Sequence, residues 1–366
     1  MKLEKIILNI LLNVCRPFML LLPIKMNKVT FISLTSKTLS GDFKAIYNEL
    51  SNSNLDIHFN LVRFEKTVPG KLKYLFNCFI QLYEVYTSHV IVINDNNYVI
   101  SNFKRKGVCV VQIWHACGAI KKFGNQIKRE YPIQNYDYVI SCSDVWKPIF
   151  SEAFDVKQNQ IIPCGLPRID ALCMPKQVQQ YREEMITKYP VLRDSYVYLY
   201  APTFRGNIIG GLHYEGVPLE RMMKELPENS VIMYKMHPLL GNISLGDNPR
   251  ILNMNEENLN ALLCVTDCLI SDYSSVIFDY SIIGKQMIFY APDLDNYNKE
   301  IGLNVNYDDM PGDICLSIET LLESMKKQKN DRDLRLDTFR DMYFYTCDGK
   351  NSRRIAELIL KAAGEF

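Results

Sequence analysis

Two histidines in this 366-residue chain stand at the ends of apolar runs, where a sheet would present them to a ligand. His115 lies in QIWHACGAIKKFG, residues 112–124, directly after a run that ends at Trp114. An imidazole titrates near neutrality and suits a general base. Gly118 allows close backbone approach to a ligand, and Lys121 with Lys122 adds positive charge about two turns on. Alone, a histidine at a strand end is more often structural; the glycine and the lysine pair shift that balance. His237 lies in YKMHP, residues 234–238, and a third segment, YAPTFRG, spans 200–206. There Arg205 can fork onto phosphate oxygens, Thr203 can donate a hydroxyl, and Lys235 and His237 add two further donors, with Pro238 stopping the strand.

The most informative stretch is DCLISDYSSVIFDYSIIGKQMIFYAPD, residues 267–293. A strand ends in Asp272, and Ser274 and Ser275 open a helix expected to run to about Ile283 and to close at Gly284. Serines and free backbone N–H groups at a helix start form an anion site. Asp279, one turn in, could hydrogen-bond a ribose or polyol hydroxyl. The chain has no G-x-x-x-x-G-K-[ST], no G-x-G-x-x-G after a strand and no G-x-S-x-G, so a P-loop kinase, a nicotinamide enzyme and a serine hydrolase find no support. Asp293-Leu294-Asp295 follows a strand-ending Ala-Pro and reads as a turn. No metal ligand set and no cofactor is therefore expected, and neutralising a diphosphate falls to arginine, lysine, histidine and a helix N-terminus.

Such residues need sheets to carry them. Continuous apolar, β-rich runs recur at 29–34, 89–94, 109–114, 136–143, 196–202, 230–236, 267–272 and 286–292, with helical stretches between them. Runs apolar on both faces signify parallel strands covered by helices, so the pattern spells a doubly wound α/β fold twice. The length agrees with about two domains, and the helical stretch of roughly 170–195 reads as the linker. Forty-two basic against forty-one acidic residues leave no global field for nucleic acid. Of eleven cysteines none forms a C-x-x-C pair, and Cys109, Cys142, Cys264 and Cys268 sit in strand-like runs. A reducing compartment is expected, with neither disulfide framework nor zinc site. The N-terminal run from Ile6 to Ile24 is interrupted by Asn9, Asn13, Arg16 and Pro17. It reads as an interfacial helix that Lys2, Lys5, Arg16, Lys25 and Lys28 hold on an anionic inner leaflet, a buried first helix being the alternative.

In order and spacing, the segments SGDFKAIYNEL, QIWHACGAIKKFG, CGLPRID, APTFRG, KMHP, ISDYSSVIFDYSIIGKQMIFYAPDLDNY, PGDI and DGKNSRRI resemble the CDP-glycerol glycerophosphotransferases of teichoic-acid synthesis. The resemblance implies a GT-B-like architecture, with two Rossmann-type domains facing a cleft. It places a membrane-associating segment at 1–28, an acceptor domain at 29–180, a CDP-donor domain at 190–345 and a final helix, 346–366, crossing back to the first domain. It also implies metal-independent transfer of glycerol or ribitol phosphate from a CDP-polyol to a lipid-linked teichoic-acid or capsule-type acceptor at the cytoplasmic face of the membrane, with CMP released. A second copy of the chain is an open further partner. His115 and His237 match the family's active-site histidines. Thr203 and Arg205 match its donor-phosphate loop, Ser274, Ser275 and Asp279 its donor-binding motif, and Lys235, Gly118, Lys121, Lys122, Arg168 and Asp272 are further candidates. Two segments depart from the pattern: W-H-G-T-P-L-K-K reads Trp114-His115-Ala116-Cys117-Gly118-Ala119-Ile120-Lys121-Lys122, and R-G-F reads Glu300-Ile301-Gly302. The alternatives are a glycosyltransferase of the same fold using a nucleotide sugar, and an inactive membrane-associated scaffold. The absence of a large extra N-terminal module favours a compact primase or short polymerase.

Overall fold

The computed structural model describes residues 3–65, 67–207, 211–237, 240, 243–329 and 334–364; Lys2 and Pro238 lie outside them. The chain divides into two compact units. The first is built from Met1–Ala116, Phe123–Arg168 and Lys350–Phe366, the second from Cys117–Lys122 and Ile169–Gly349. The stretch read as a linker instead forms a helix of the second unit, Pro175–Lys188, packed on the helix Leu259–Val265.

The first unit carries strands β1 (Lys25–Ser33), β2 (Asp56–Leu61), β3 (Ser88–Ile93), β4 (Cys109–Gln112), β5 (Tyr138–Ser141) and β6 (Ile161–Pro163). They form one parallel sheet in the order β2-β1-β3-β4-β5-β6. Its helices are α1 (Leu3–Leu20), α2 (Gly41–Leu50), α3 (Val68–Thr87), α4 (Tyr98–Phe103), α5 (Lys147–Phe154) and, from the end of the chain, α13 (Asn351–Ala363). Helix α1 runs unbroken through Pro17, packs on α3 and buries Leu8 and Leu12. Among the described residues no helix is long and apolar enough to cross a membrane. Lys28, expected as a surface cation, is 1% exposed: its ammonium pairs with Glu84 at 2.7 Å and donates to Thr87 Oγ1 at 2.9 Å.

In the second unit, β7 (Tyr196–Tyr200), β10 (Ser230–Tyr234), β11 (Ile251–Asn253), β12 (Cys268–Ser271), β13 (Gln286–Tyr290) and β14 (Asp313–Cys315) form a parallel sheet ordered β11-β10-β7-β12-β13-β14. A short hairpin, β8 (Arg205–Asn207) with β9 (Gly211–His213), stands apart. Without that hairpin the order is that of a doubly wound dinucleotide-type sheet, which turns between β7 and β12, and ligands of such sheets bind at the carboxyl ends flanking that turn. The helices are α6 (Pro175–Lys188), α7 (Leu219–Met223), α8 (Leu259–Val265), α9 (Val276–Ser281), α10 (Leu294–Glu300), α11 (Ile318–Lys326) and α12 (Leu334–Tyr343). Every residue of β7, β10 and β13 is buried, as the continuous apolar runs required.

The cysteine reading needs correction. Cys109, Cys142, Cys264 and Cys268 are free thiols, as their strand-like setting suggested, but Cys173 and Cys347 form a disulfide across 174 residues with their Cα atoms 5.2 Å apart. Both lie outside the strands, at a separation no short motif encodes.

Gly165 adopts φ +82°, and a Cβ there would meet the Asn351 side chain of α13 at 2.3 Å, while Asn351 Nδ2 donates to Leu166 O at 3.2 Å. Gly165→Ala is expected to lower unfolding free energy by about 1–3 kcal/mol, through a strained backbone and a displaced α13. Urea denaturation of both proteins measures the difference.

Candidate functional site

In the first unit the chain leaves β4 and reverses sharply. Trp114 takes φ 59°, a left-handed conformation that a bulky residue adopts only under constraint. Its N–H donates to Gln112 Oε1 at 2.8 Å, and its indole stacks on Phe123 at 5.1 Å and meets Phe154 edge-on. The strand therefore ends two residues before the expected Trp114, and the turn presents His115 exposed at the carboxyl edge of the sheet. His115 Nδ1 lies 2.9 Å from Asn94 O, just beyond β3. A carbonyl can only accept, so Nδ1 carries the hydrogen and Nε2 of the neutral ring carries the lone pair, as a proton acceptor requires. Arg168 Nη1 donates to the His115 carbonyl at 2.7 Å, which makes Arg168 a positioning residue for the same turn.

In the second unit, the groups converge on the carboxyl ends of β7, β12 and β13. Asp272 is buried; its Oδ1 accepts from the N–H groups of Thr203 and Tyr273 at 2.8 and 2.7 Å. Its Oδ2 takes Arg205 Nη1 at 2.7 Å, the two side chains being 3% and 6% exposed. Arg205 also donates Nε and Nη2 to the two oxygens of Asp293 at 2.7 and 3.0 Å and Nη1 to Thr203 O at 2.8 Å. Beneath it, Tyr273 and Tyr297 stack at 3.8 Å, both within cation–π range of the guanidinium. These carboxylates hold the Arg205 pKa above its already high value against the opposing effect of burial. The fork expected to grip phosphate is thus engaged inside the protein. Asp293, read as a turn residue, is one of its anchors.

Lys235 is similarly engaged: its ammonium donates to Asn255 O and Glu257 O at 2.8 Å each and to Met254 O at 3.4 Å, tying the loop before α8. His237 meets the Phe204 ring edge-on at 4.6 Å. Although much of the residue is accessible, desolvation of the ring, reinforced by the charge of Lys121, lowers its pKa to about 4. It is therefore neutral at pH 7 and acts there as a hydrogen-bonding group.

The segment after His115 crosses into the second unit. Lys121 bridges antiparallel to Leu303, Lys122 N–H donates to Gly302 O at 3.0 Å, and Asn304 N–H donates to Ile120 O at 2.7 Å. The two stretches that depart from the family pattern thus lie side by side. Gly118 is buried in this segment, Lys121 is half-buried and Lys122 is exposed.

Helix α9 starts at Val276 with Ser275 as its N-cap residue, and it ends at Ser281, earlier than expected; Gly284 follows at φ 74°. Ser274 Oγ accepts weakly from Val276 N–H at 3.4 Å, whereas the Ser275 side chain makes no capping bond. Asp279 is buried in the first turn of α9. Thr203 Oγ1 is buried with no hydrogen-bond partner. Among the described residues no group of three or more His, Cys, Asp or Glu is placed to hold a metal.

Residues 15–361 match the sequence model of the CDP-glycerol:poly(glycerophosphate) glycerophosphotransferases. The chain belongs to that family. Among its relatives is the teichoic acid ribitol-phosphate primase of Bacillus spizizenii, 32% identical over 363 residues, covering 93% of this chain and 92% of the primase. The teichoic acid poly(ribitol-phosphate) polymerase of the same organism is 33% identical, but the match spans 57% of its length. The solved structure of the wall teichoic acid polymerase TagF superposes with a TM-score of 0.74 at 27% identity, covering 93% of this chain and 90% of that one.

Removing one partner of a buried charge pair leaves the other uncompensated. Asp272→Asn is expected to cost about 3 kcal/mol of stability. Chemical denaturation at neutral pH checks this; an unchanged midpoint would show that Asp293 suffices.

Proposed function

We propose that the protein transfers glycerol or ribitol phosphate from a CDP-polyol to a lipid-linked teichoic-acid or capsule-type acceptor, releasing CMP. Family membership supports the CDP-polyol transfer itself, and the observation that carries the mechanism is the fixed tautomer of His115. With Nδ1 donating to Asn94 O, Nε2 accepts the proton of an acceptor hydroxyl as that oxygen attacks the β-phosphate of the donor. The P–O bond to the CMP leaving group breaks as the new phosphodiester forms. Thr203 Oγ1, Ser275 and neutral His237 offer hydrogen bonds to the diphosphate, while Arg205 and Asp272 fix the loop that carries Thr203. Metal independence and a GT-B-like fold belong to the same proposal. The strand order of the second unit and the similarity to the TagF structure favour the GT-B-like part. His115→Ala is expected to lower CMP release by about 10²–10⁴-fold, with CDP-glycerol and CDP-ribitol tried separately on a synthetic lipid-linked acceptor and EDTA present. Near-full release by the variant would sink the role given to His115, and loss of wild-type activity in EDTA would sink metal independence.

The proposed location is peripheral, on the inner leaflet. Helix α1 exposes Ile6, Ile7, Ile10, Val14 and Phe18, and α3, against which it packs, exposes Val68, Leu72, Phe76, Ile80 and Tyr83 at three- and four-residue spacing. Arg16, Lys25, Lys71 and Lys73 are exposed on the same segments. Exposed apolar side chains with basic residues around them suit an anionic membrane interface. Ile10→Glu and Phe76→Glu are expected to abolish flotation with vesicles containing anionic lipid, and unchanged flotation would refute the assignment.

A further inference from the structure

We propose that Lys121 is the cation that meets the diphosphate of the donor, and that the short excursion Cys117–Lys122 into the second unit delivers it. The inference rests on the CDP-polyol reading above and adds to it the residue that supplies the charge.

The sequence offers Arg205, Lys235, Lys121 and Lys122 near the donor loops, and the structure sorts them. Arg205 is held by Asp272, Asp293 and the Thr203 carbonyl, and Lys235 by three backbone carbonyls. Lys122 is exposed and lays its aliphatic stem against Gly302. Lys121 alone of the four is half-buried with no hydrogen bond or ion pair on its ammonium among the described residues. Its Nζ lies 5.3 Å from the centroid of Phe204, the residue after Thr203, and the same ring packs on His237. An ammonium and a neutral imidazole therefore meet one aromatic side chain, and the residue before it carries a buried hydroxyl without a partner, at the strand ends where a sheet of this order binds its ligand.

The backbone makes this placement firm. Buried Cys117, Ala119 and Ile120 anchor the excursion, and its pairing with Gly302, Leu303 and Asn304 fixes the register that brings Lys121 to the Phe204 edge. A partly desolvated ammonium without a counter-ion is unfavourable, and burial lowers the Lys121 pKa with Asp272 opposing. A bound anion relieves that cost. Lysine suits the task because its three N–H donors rotate about a point charge and can follow phosphate oxygens as the β-phosphate is transferred.

The test measures donor and cytidine affinities of the full-length wild type, Lys121→Gln and Lys121→Arg by calorimetry and by inhibition of CMP release. Wild type is expected to bind and turn over a CDP-polyol. Lys121→Gln should weaken CDP and CDP-polyol about 10–100-fold while leaving inhibition by cytidine, which has no phosphate, unchanged, and Lys121→Arg should recover much of the loss. Matched circular dichroism and urea melts exclude misfolding as the cause. If wild type turns over the donor and Lys121→Gln binds CDP equally well, or loses cytidine to the same degree, the assignment of Lys121 is overturned and the donor reading stands. If wild type neither binds nor consumes any CDP-polyol, the donor reading falls and takes this assignment with it.

Discussion

The Asp272 carboxylate organises the carboxyl edge of the second unit's sheet. One oxygen gathers two backbone N–H groups, those of Thr203 after β7 and Tyr273 after β12, and the other meets Arg205, which extends the link to Asp293 after β13. Three loops that leave three neighbouring strands are thereby joined through one guanidinium. Tyr273 adds a hydroxyl bond to Asp293 at 3.0 Å, and Tyr307 one to the Asp272 carbonyl at 2.9 Å. With little water nearby, each of these bonds strengthens its neighbours. A buried ion pair adds little net stability compared with apolar packing, but it admits few alternative geometries, and that selectivity suits a loop that must hold Thr203 in one place.

The first unit solves the corresponding problem without buried charge at the site. His115 is aimed by a left-handed Trp114 wedged between Phe123 and Phe154 and by two backbone carbonyls, its own and that of Asn94. The imidazole touches no carboxylate through Nδ1, so its orientation is set by shape and hydrogen bonding. Strain at such a turn persists only where the surrounding packing over-determines it.

Much of this was legible in the residues, in a pattern that packing explains. All eight apolar runs became strands, and each of the eight is interior to its sheet. In the two parallel sheets the strands that the sequence concealed, β2, β6, β11 and β14, are the four edges; the short β8–β9 hairpin was concealed as well. Edge strands are covered less completely, and three of these are three residues long, too short for any periodicity to show. At the site, residue types and strand-end positions were readable, but partners were not. Arg205 and Lys235 looked like phosphate ligands because cations beside glycine or proline after a strand carry that signature, and only the fold reveals that Asp293 and the carbonyls near α8 claim them first. The signal for Asp293 was present in APDLDNY, where this carboxylate directly precedes the short helix that carries Tyr297, but spacing alone could not connect them to Arg205.

The return of α13 to the first unit has a consequence for the order in which the protein can mature on the ribosome. Ile355, Ala356 and Ile359 of that helix are buried, and the helix packs on α2, β1 and β3. Synthesis proceeds from the N-terminus, so this face of the first sheet stays uncovered while the whole of the second unit is being made. The second unit can close earlier, once the chain has passed Gly349. The earlier-made sheet is therefore the later to be completed, and its open apolar face is where a nascent chain of this kind would most need protection from aggregation.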